Sequence, residues 1–156
     1  MNETTIRPTQ DECVAAALAH GSILLGLFTN GLGGFIGAAL VWLTQKEKSQ
    51  YVAFQSLQAI VYQAVFLVIG ALGLGCYLCA VFAPMLPLMI DPQSAESMPL
   101  ALFICPSICP LPVLFLVSGA FVLYGLYGAW RTLGGADFRY VVIGRMIERQ
   151  LTTSTE

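Results

Sequence analysis

Three long stretches of the chain contain no Asp, Glu, Lys or Arg, and this feature limits the fold more than any other. They cover residues 13–43, 51–84 and 100–130. Each stretch exceeds the roughly 20 apolar residues that an α-helix needs to cross a hydrocarbon core of about 30 Å. A helix of a soluble protein would carry a polar stripe facing water, and these stretches have none. Because lipid also requires backbone groups to be paired internally, the sequence predicts an all-α polytopic membrane protein.

Composition and charge agree with this prediction. Of the 156 residues, 57% are hydrophobic and 10% are charged, whereas soluble domains have about 25% charged residues. The first twelve residues hold three acids and one Arg, which is unlike the basic start of a cleavable signal. A net charge of −2 gives no reason to expect a nucleic acid as a partner.

The distribution of basic residues predicts the topology. Lys46 and Lys48 lie in one connection and four Arg residues follow residue 130, whereas the connection at 84–99 holds Asp91 and Glu96 and no basic residue. Cytoplasmic loops carry the excess of Lys and Arg. We therefore expect a multi-pass protein of the inner (plasma) membrane with both termini and the Lys46 loop in the cytoplasm.

The first stretch is too long for a single crossing, and it contains a turn signal. As one helix its 31 residues (13–43) would extend about 46 Å at 1.5 Å per residue. Residues 29–34 read TNGLGG, and Asn and Gly favour a chain reversal. We predict a short helical hairpin here, which gives four transmembrane helices in total. The alternative is one long tilted helix with an external N-terminus.

The predicted organisation is a single membrane domain with short tails. Residues 1–10 and 152–156 are expected to be disordered. The membrane domain covers residues 11–133, and its helices are predicted at 11–28, 33–45, 50–83 and 100–132.

Residues 134–151 are predicted to form a cytoplasmic amphipathic helix lying in the headgroup plane. On such a helix Tyr140 shares an apolar face with Ile143 and Ile147, and Arg145 and Arg149 lie opposite. The candidate interfacial residues are Arg139, Tyr140, Arg145 and Arg149. The alternative is a partly ordered, solvated tail.

Five polar residues within the apolar stretches form a candidate intramembrane site: His20, Gln55, Gln58, Tyr62 and Gln63. Ionisable groups at such positions are costly and suggest function. No acidic residue accompanies His20 within a stretch, which favours a neutral His that hydrogen-bonds across helices over a proton relay. The glutamines must point inward, either to bond between helices or to line a polar pathway.

Paired cysteines flank the external connection and form a candidate disulfide or thiol cluster: Cys76, Cys79, Cys105 and Cys109. Helix lengths place both pairs at the external interface. Three interpretations remain open: inert apolar thiols, disulfides that staple the loop, or a metal or redox site.

Three segments resemble a family of small bacterial and archaeal membrane proteins of unknown function. They are AALAH with the Gly-rich turn after it, LVWLTQKEKSQYVAFQSLQAIVYQ, and GGADFRYVVIGRMI. Departures include Gln55, where the family usually has His, and Val141, where it often has Pro. The resemblance implies the four-helix architecture, and the family is distantly similar to the channel-forming translocon subunit of the chloroplast inner envelope.

Function is constrained less than architecture. No Ser, His and acid set, carboxylate pair or phosphate-binding glycine loop is apparent, so we expect no enzyme, no catalytic or metal residues and no cofactor. The first hypothesis is a non-catalytic accessory or structural component of a membrane complex, with the bilayer, other membrane proteins or a homo-oligomer as partners. The alternatives are a transport or protein-translocation channel component and a thiol-redox membrane protein.

Overall fold

The structure, a computed structural model, describes residues 7–91, 99 and 101–141, and these residues contain helices and no strand. The helices are α1 (Gln10–Gly21), α2 (Ile23–Phe28), α3 (Leu32–Gln45), α4 (Gln50–Phe82), α5 (Leu86–Ile90), α6 (Ala101–Ile108) and α7 (Pro110–Leu133), with a 3-10 turn at Ala83–Met85 between α4 and α5. The all-α prediction is therefore confirmed for this part of the chain.

Helix α1 begins at a capping box. Thr9 Oγ1 accepts a hydrogen bond from the Glu12 amide at 3.4 Å, and the Thr9 amide donates to the Glu12 carboxylate at 2.7 Å. These two bonds satisfy amides that a helix N-terminus would otherwise leave unpaired. The capping pair therefore fixes the point at which the polar N-terminal residues give way to apolar helix.

The first charge-free stretch folds as the predicted hairpin. Asn30 and Gly31 have φ values of +51° and +90°, and this left-handed backbone reverses the chain between α2 and α3. Gly34 on α3 lies against the Gln63 side chain, and a Cβ at Gly37 would lie 2.8 Å from Ser22 Cβ. Small residues thus allow the two arms and α4 to approach closely, as in other membrane helix packings.

Among the described residues, three helical stretches are long and apolar enough to span a membrane. They are Gln10–Phe28, Gln50–Met85 and Ala101–Leu133, with 19, 36 and 33 residues. The fourth predicted span, α3, has 14 residues and extends only about 21 Å. The structure therefore supports a membrane protein with three full-length candidate spans and one shorter apolar helix.

The described residues divide into two compact units. The first comprises the chain up to Leu67 and from Val122 onward, and the second comprises Val68–Phe121. In the second unit the Tyr77 hydroxyl donates to the Ser107 carbonyl at 3.1 Å. The first unit holds the buried polar residues, so it positions the candidate site.

The residues after α7 differ from the prediction. Residues 136–140 form no helix, and the predicted interfacial residue Tyr140 is only 3% exposed. The prediction of an interfacial helix is therefore wrong for 136–140, because the Phe138 and Tyr140 rings gain more by packing between the helices than by lying in the headgroup plane. Residues 142–151 of the predicted amphipathic segment, with Arg145 and Arg149, lie outside the described residues.

Candidate functional site

His20 lies at the centre of the first unit and is 1% exposed. Its Nε2 is 3.2 Å from Gln55 Oε1, and its Nδ1 is 3.0 Å from the Tyr140 hydroxyl. An amide oxygen only accepts, so Nε2 donates to Gln55; in the neutral imidazole Nδ1 then accepts from the Tyr140 hydroxyl. Both ring nitrogens of His20 therefore have a hydrogen-bond partner.

Gln55 connects His20 to the surface. This fully buried side chain donates from Nε2 to Asp137 Oδ1 at 3.1 Å. The other Asp137 oxygen accepts from Arg139, at 3.0 Å from Nε and 2.9 Å from the terminal nitrogen Nη2. A continuous hydrogen-bonded chain therefore runs from Tyr140 through His20 and Gln55 to a half-exposed ion pair.

Gln58 holds the extended segment after α7 in place. Its Nε2 donates to the Phe138 carbonyl at 3.2 Å, and its Oε1 accepts from the Tyr140 amide at 3.1 Å. In a parallel β-sheet, a residue of the neighbouring strand bonds to the same two groups, a carbonyl and the amide two residues later. The Tyr51 hydroxyl adds a third bond, to the Ala136 carbonyl at 3.0 Å. We call residues 136–140 the strap, since side chains of α4 bind it along its length.

Gln63 makes a separate contact with the hairpin. Its Nε2 donates to the Ala19 carbonyl at 3.3 Å and lies 3.1 Å from Ser22 Oγ. Ser22 Oγ also lies within hydrogen-bond distance of the Gly34 carbonyl, at 2.9 Å. The Gln63 Oε1 atom is buried without a donor among the described residues. Gln63 therefore joins α4 to both arms of the hairpin.

Aromatic rings fill the space around this network. Tyr62 and Tyr140 stack with their centroids 4.2 Å apart and their planes 7° apart. Tyr124 meets the Tyr140 and Phe138 rings edge-on, at 5.3 and 5.9 Å. A Cβ on Gly128 would lie 2.8 Å from a carbon of the Phe138 ring. The cluster therefore depends on a residue without a side chain at this point of α7.

Burial changes the pKa of one side chain of the strap. Removal from water raises the pKa of the Tyr140 phenol, and the neighbouring Tyr62 and Tyr124 act in the same direction. A neutral phenol is the form that can donate to His20 Nδ1. The Asp137–Arg139 pair, with side chains 51% and 48% exposed, contributes little stability of its own at such exposure.

The structure brings most of the predicted polar site together. His20, Gln55, Gln58 and Tyr62 all surround the strap, and Gln63 lies on the same helix toward the hairpin. Arg139 is an ion-pair partner at the end of the network, and Tyr140 is part of its core rather than an interfacial residue. Arg145 and Arg149 lie outside the described residues.

The predicted thiol cluster lies in the second unit. Its four cysteines are free and exposed: Cys76, Cys79, Cys105 and Cys109. No group of three or more His, Cys, Asp or Glu residues suited to a metal occurs within the described ranges. These four cysteines form no disulfide in the structure. The three interpretations of the cluster remain predictions.

Sequence reasoning missed Asp137, Phe138, Tyr124 and Gly128. Residues 137–140 alternate polar and aromatic side chains, Asp137, Phe138, Arg139 and Tyr140, and this alternation indicates an extended segment. Gly125 and Gly128 share a face of α7 with Tyr124, which signals a close approach of another element. These signals are short, and the amphipathic spacing of the following residues outweighed them.

The polar side chains of this network bond to one another and to the strap. Both nitrogens of His20 are occupied, and the amides of Gln55 and Gln58 each bond on both sides to protein groups.

A family model described as "Magnetosome magnetite crystal formation protein family" matches residues 11–147. The matched range includes the hairpin, the glutamines of α4 and the strap. No curated protein and no solved structure matches the chain. The comparison therefore supports a resemblance to a family of small membrane proteins, whereas the distant similarity to a chloroplast translocon subunit finds no support.

Proposed function

The chain belongs to the magnetosome magnetite crystal formation protein family, and from this premise we propose that it is a non-catalytic accessory or structural component of a membrane complex that serves magnetite crystal formation. The observation that carries the proposal is the way its polar groups are used. His20, Gln55 and Gln58 each bind the strap, and His20 also binds Gln55, which leaves the first unit suited to presenting a fixed surface.

The hydrogen bonds of the glutamines do not favour the transport alternative. A water-filled pathway needs polar side chains directed at a lumen, whereas the amide nitrogens of Gln55, Gln58 and Gln63 donate to protein oxygens. Reconstituted liposomes test this alternative directly. Solute flux or conductance that is lost on changing Gln58 and Gln63 to Leu would favour a channel over the proposed role.

The thiol-redox alternative rests on the exposed cysteines of the second unit. Thiol counting in native membranes, before and after reduction, separates the possibilities. Five free thiols, equal to the number of cysteines in the sequence, would eliminate a disulfide. A smaller number that rises on reduction would support the redox role.

The proposed location is the magnetosome membrane, with several crossings and both termini in the cytoplasm. The basic residues Lys46 and Lys48 and the acidic residue Asp91 support this orientation through the positive-inside rule. Single cysteines at Lys48→Cys and Ser94→Cys, in a chain whose native cysteines are replaced, report the compartment through an impermeant maleimide. Labelling of both from the same side would contradict the proposed topology.

The decisive experiment follows the full-length chain and the mineral together. Vesicles that contain magnetite can be isolated magnetically, and the proposal expects the chain in this fraction after washing with alkaline carbonate. Deletion of its gene should change the size or number of crystals, and the intact gene should restore them. Absence of the chain from the magnetic fraction, with unchanged crystals after deletion, would refute the proposal.

A further inference from the structure

An open cavity of about 710 Å³ lies in the first unit, between the end of α3 and the start of α4. Its apolar walls come from three half-buried side chains, Trp42, Phe54 and Leu57, and its polar rim includes Lys46 and Asp137. The apolar walls belong to the charge-free stretches, and charged residues resume at the rim. The cavity therefore combines an apolar interior with an ionic edge at the boundary of a candidate membrane span.

Two cations lie over the aromatic walls of this cavity. Lys46 Nζ lies 5.1 Å from the centroid of the Trp42 ring, and the guanidinium carbon of Arg139 lies 5.7 Å from that of Phe54. Aromatic faces hold cations in this geometry. Both charges therefore lie close to aromatic rings of the cavity wall, and Lys46 itself lines the rim.

The two cations differ in whether a nearby carboxylate neutralises their charge. Arg139 pairs with Asp137, whose other oxygen accepts from Gln55. No carboxylate of the described residues lies within salt-bridge distance of Lys46. The rim therefore carries one uncompensated positive charge above an apolar groove.

We propose that this cavity binds one anionic phospholipid, with its phosphate at Lys46 and an acyl chain against Trp42, Phe54 and Leu57. Charge complementarity favours an anionic headgroup over a zwitterionic one, since basic side chains near the surface attract anionic lipids. The half-buried walls match a hydrocarbon chain, and Trp is a side chain of the membrane interface. This inference does not depend on a role in magnetite formation.

Trp42 supplies the probe, because the chain has two Trp residues and the other, Trp130, lies outside this cavity. The W130F variant of the full-length chain leaves Trp42 as the single fluorophore. It is reconstituted in phosphatidylcholine vesicles that contain a small, equal fraction of brominated phosphatidylglycerol or brominated phosphatidylcholine. We expect stronger quenching of Trp42 by the anionic lipid, whereas K46Q lowers this preference about fivefold, the effect of one basic residue at a membrane surface.

Two matched controls separate a site from diffuse attraction. K48Q removes the same charge from the same loop at a residue that does not line the cavity, and it should leave the preference unchanged. The W42F variant reports from Trp130, and K46Q should not alter its quenching. Circular dichroism of each variant establishes that it is folded.

Three results would overturn the proposal. Equal quenching of Trp42 by the two lipids would remove the selectivity. If K46Q and K48Q lowered the preference for the anionic lipid equally, the net charge of the loop would explain the preference without a site at Lys46. A folded protein in which neither lipid quenches Trp42 would show that a protein segment fills the cavity.

Discussion

Replacing Gln58 with Met should release the strap, because Met keeps the length of the side chain and removes both of its hydrogen bonds. The Phe138 carbonyl and the Tyr140 amide would lose partners now at 3.2 and 3.1 Å. Tyr140 is 3% exposed and Phe138 7%, so water does not replace the amide while the strap stays in place. Each unpaired buried group costs about 1 to 3 kcal/mol.

The magnitude follows from these two groups. Their summed cost is about 2 to 6 kcal/mol, but an opened strap can hydrate its own backbone. The free energy of opening the strap should therefore fall by about 2 to 4 kcal/mol, which corresponds to exchange of the Tyr140 amide hydrogen about 30 to 1,000 times faster when exchange follows the open population. Hydrogen–deuterium exchange on the full-length chain in lipid nanodiscs measures this rate.

Gln63→Met is the matched control. It makes the same change on the same helix, but the lost amide donates to Ala19 and lies near Ser22 instead of the strap. The Tyr140 amide should then exchange at the parent rate, while the hairpin around Ala19 loses protection. If Gln58→Met left exchange at Tyr140 unchanged in a folded protein, the assigned role of Gln58 would be refuted.

Three further predictions concern the same cluster. His20→Leu should lower the free energy of unfolding by about 2 to 4 kcal/mol in a denaturant titration, because Gln55 Oε1 and the Tyr140 hydroxyl lose their partner; a change below about 0.5 kcal/mol would contradict the network. Gly128→Ala should cost about 1 to 3 kcal/mol by forcing ring movement, whereas Gly119→Ala, with no atom within 4 Å of the added Cβ, should be neutral or stabilising in the same titration. Burial raises the pKa of Tyr140, so the contribution of its neutral phenol to the free energy of unfolding is complete below the unfolded pKa of about 10 and is lost as pH rises toward the folded pKa. Tyr140→Phe should therefore reduce the loss of stability at alkaline pH. The same dependence of stability on pH in the variant and the parent would contradict this role of Tyr140.

The sequence predicts the helices well because the signals are local and strong. The turn predicted between 28 and 33 lies where one helix ends at Phe28 and the next begins at Leu32, although the first arm, predicted as one helix at 11–28, is divided into α1 and α2 at Ser22. Asn30 and Gly31 adopt a backbone with positive φ, which Gly reaches readily because it lacks a Cβ and which Asn tolerates better than most residues. The inward direction of Gln55 and Gln58 follows in the same way from the cost of polar groups in lipid.

The strap could not be predicted in this way. Its conformation depends on bonds between Gln58 and residues 80 and 82 positions later, and periodicity within a segment contains no information on such pairs. The spacing of Tyr140 and the residues after it fits an amphipathic helix. Burial of the Phe138 and Tyr140 rings outweighs that local preference, so tertiary packing decides the conformation of 136–140.

The strap also accounts for the buried glutamine side chains in this mostly apolar chain. Backbone that is not helical can lie beside membrane helices only where protein groups satisfy its amides and carbonyls. Tyr51 bonds to Ala136, and Gln58 bonds to Phe138 and Tyr140, so these side chains replace the hydrogen bonds that a helix would make internally. The glutamines thus hold the strap in place, and the strap in turn fixes the positions of the half-exposed Asp137 and Arg139 at the surface of the first unit.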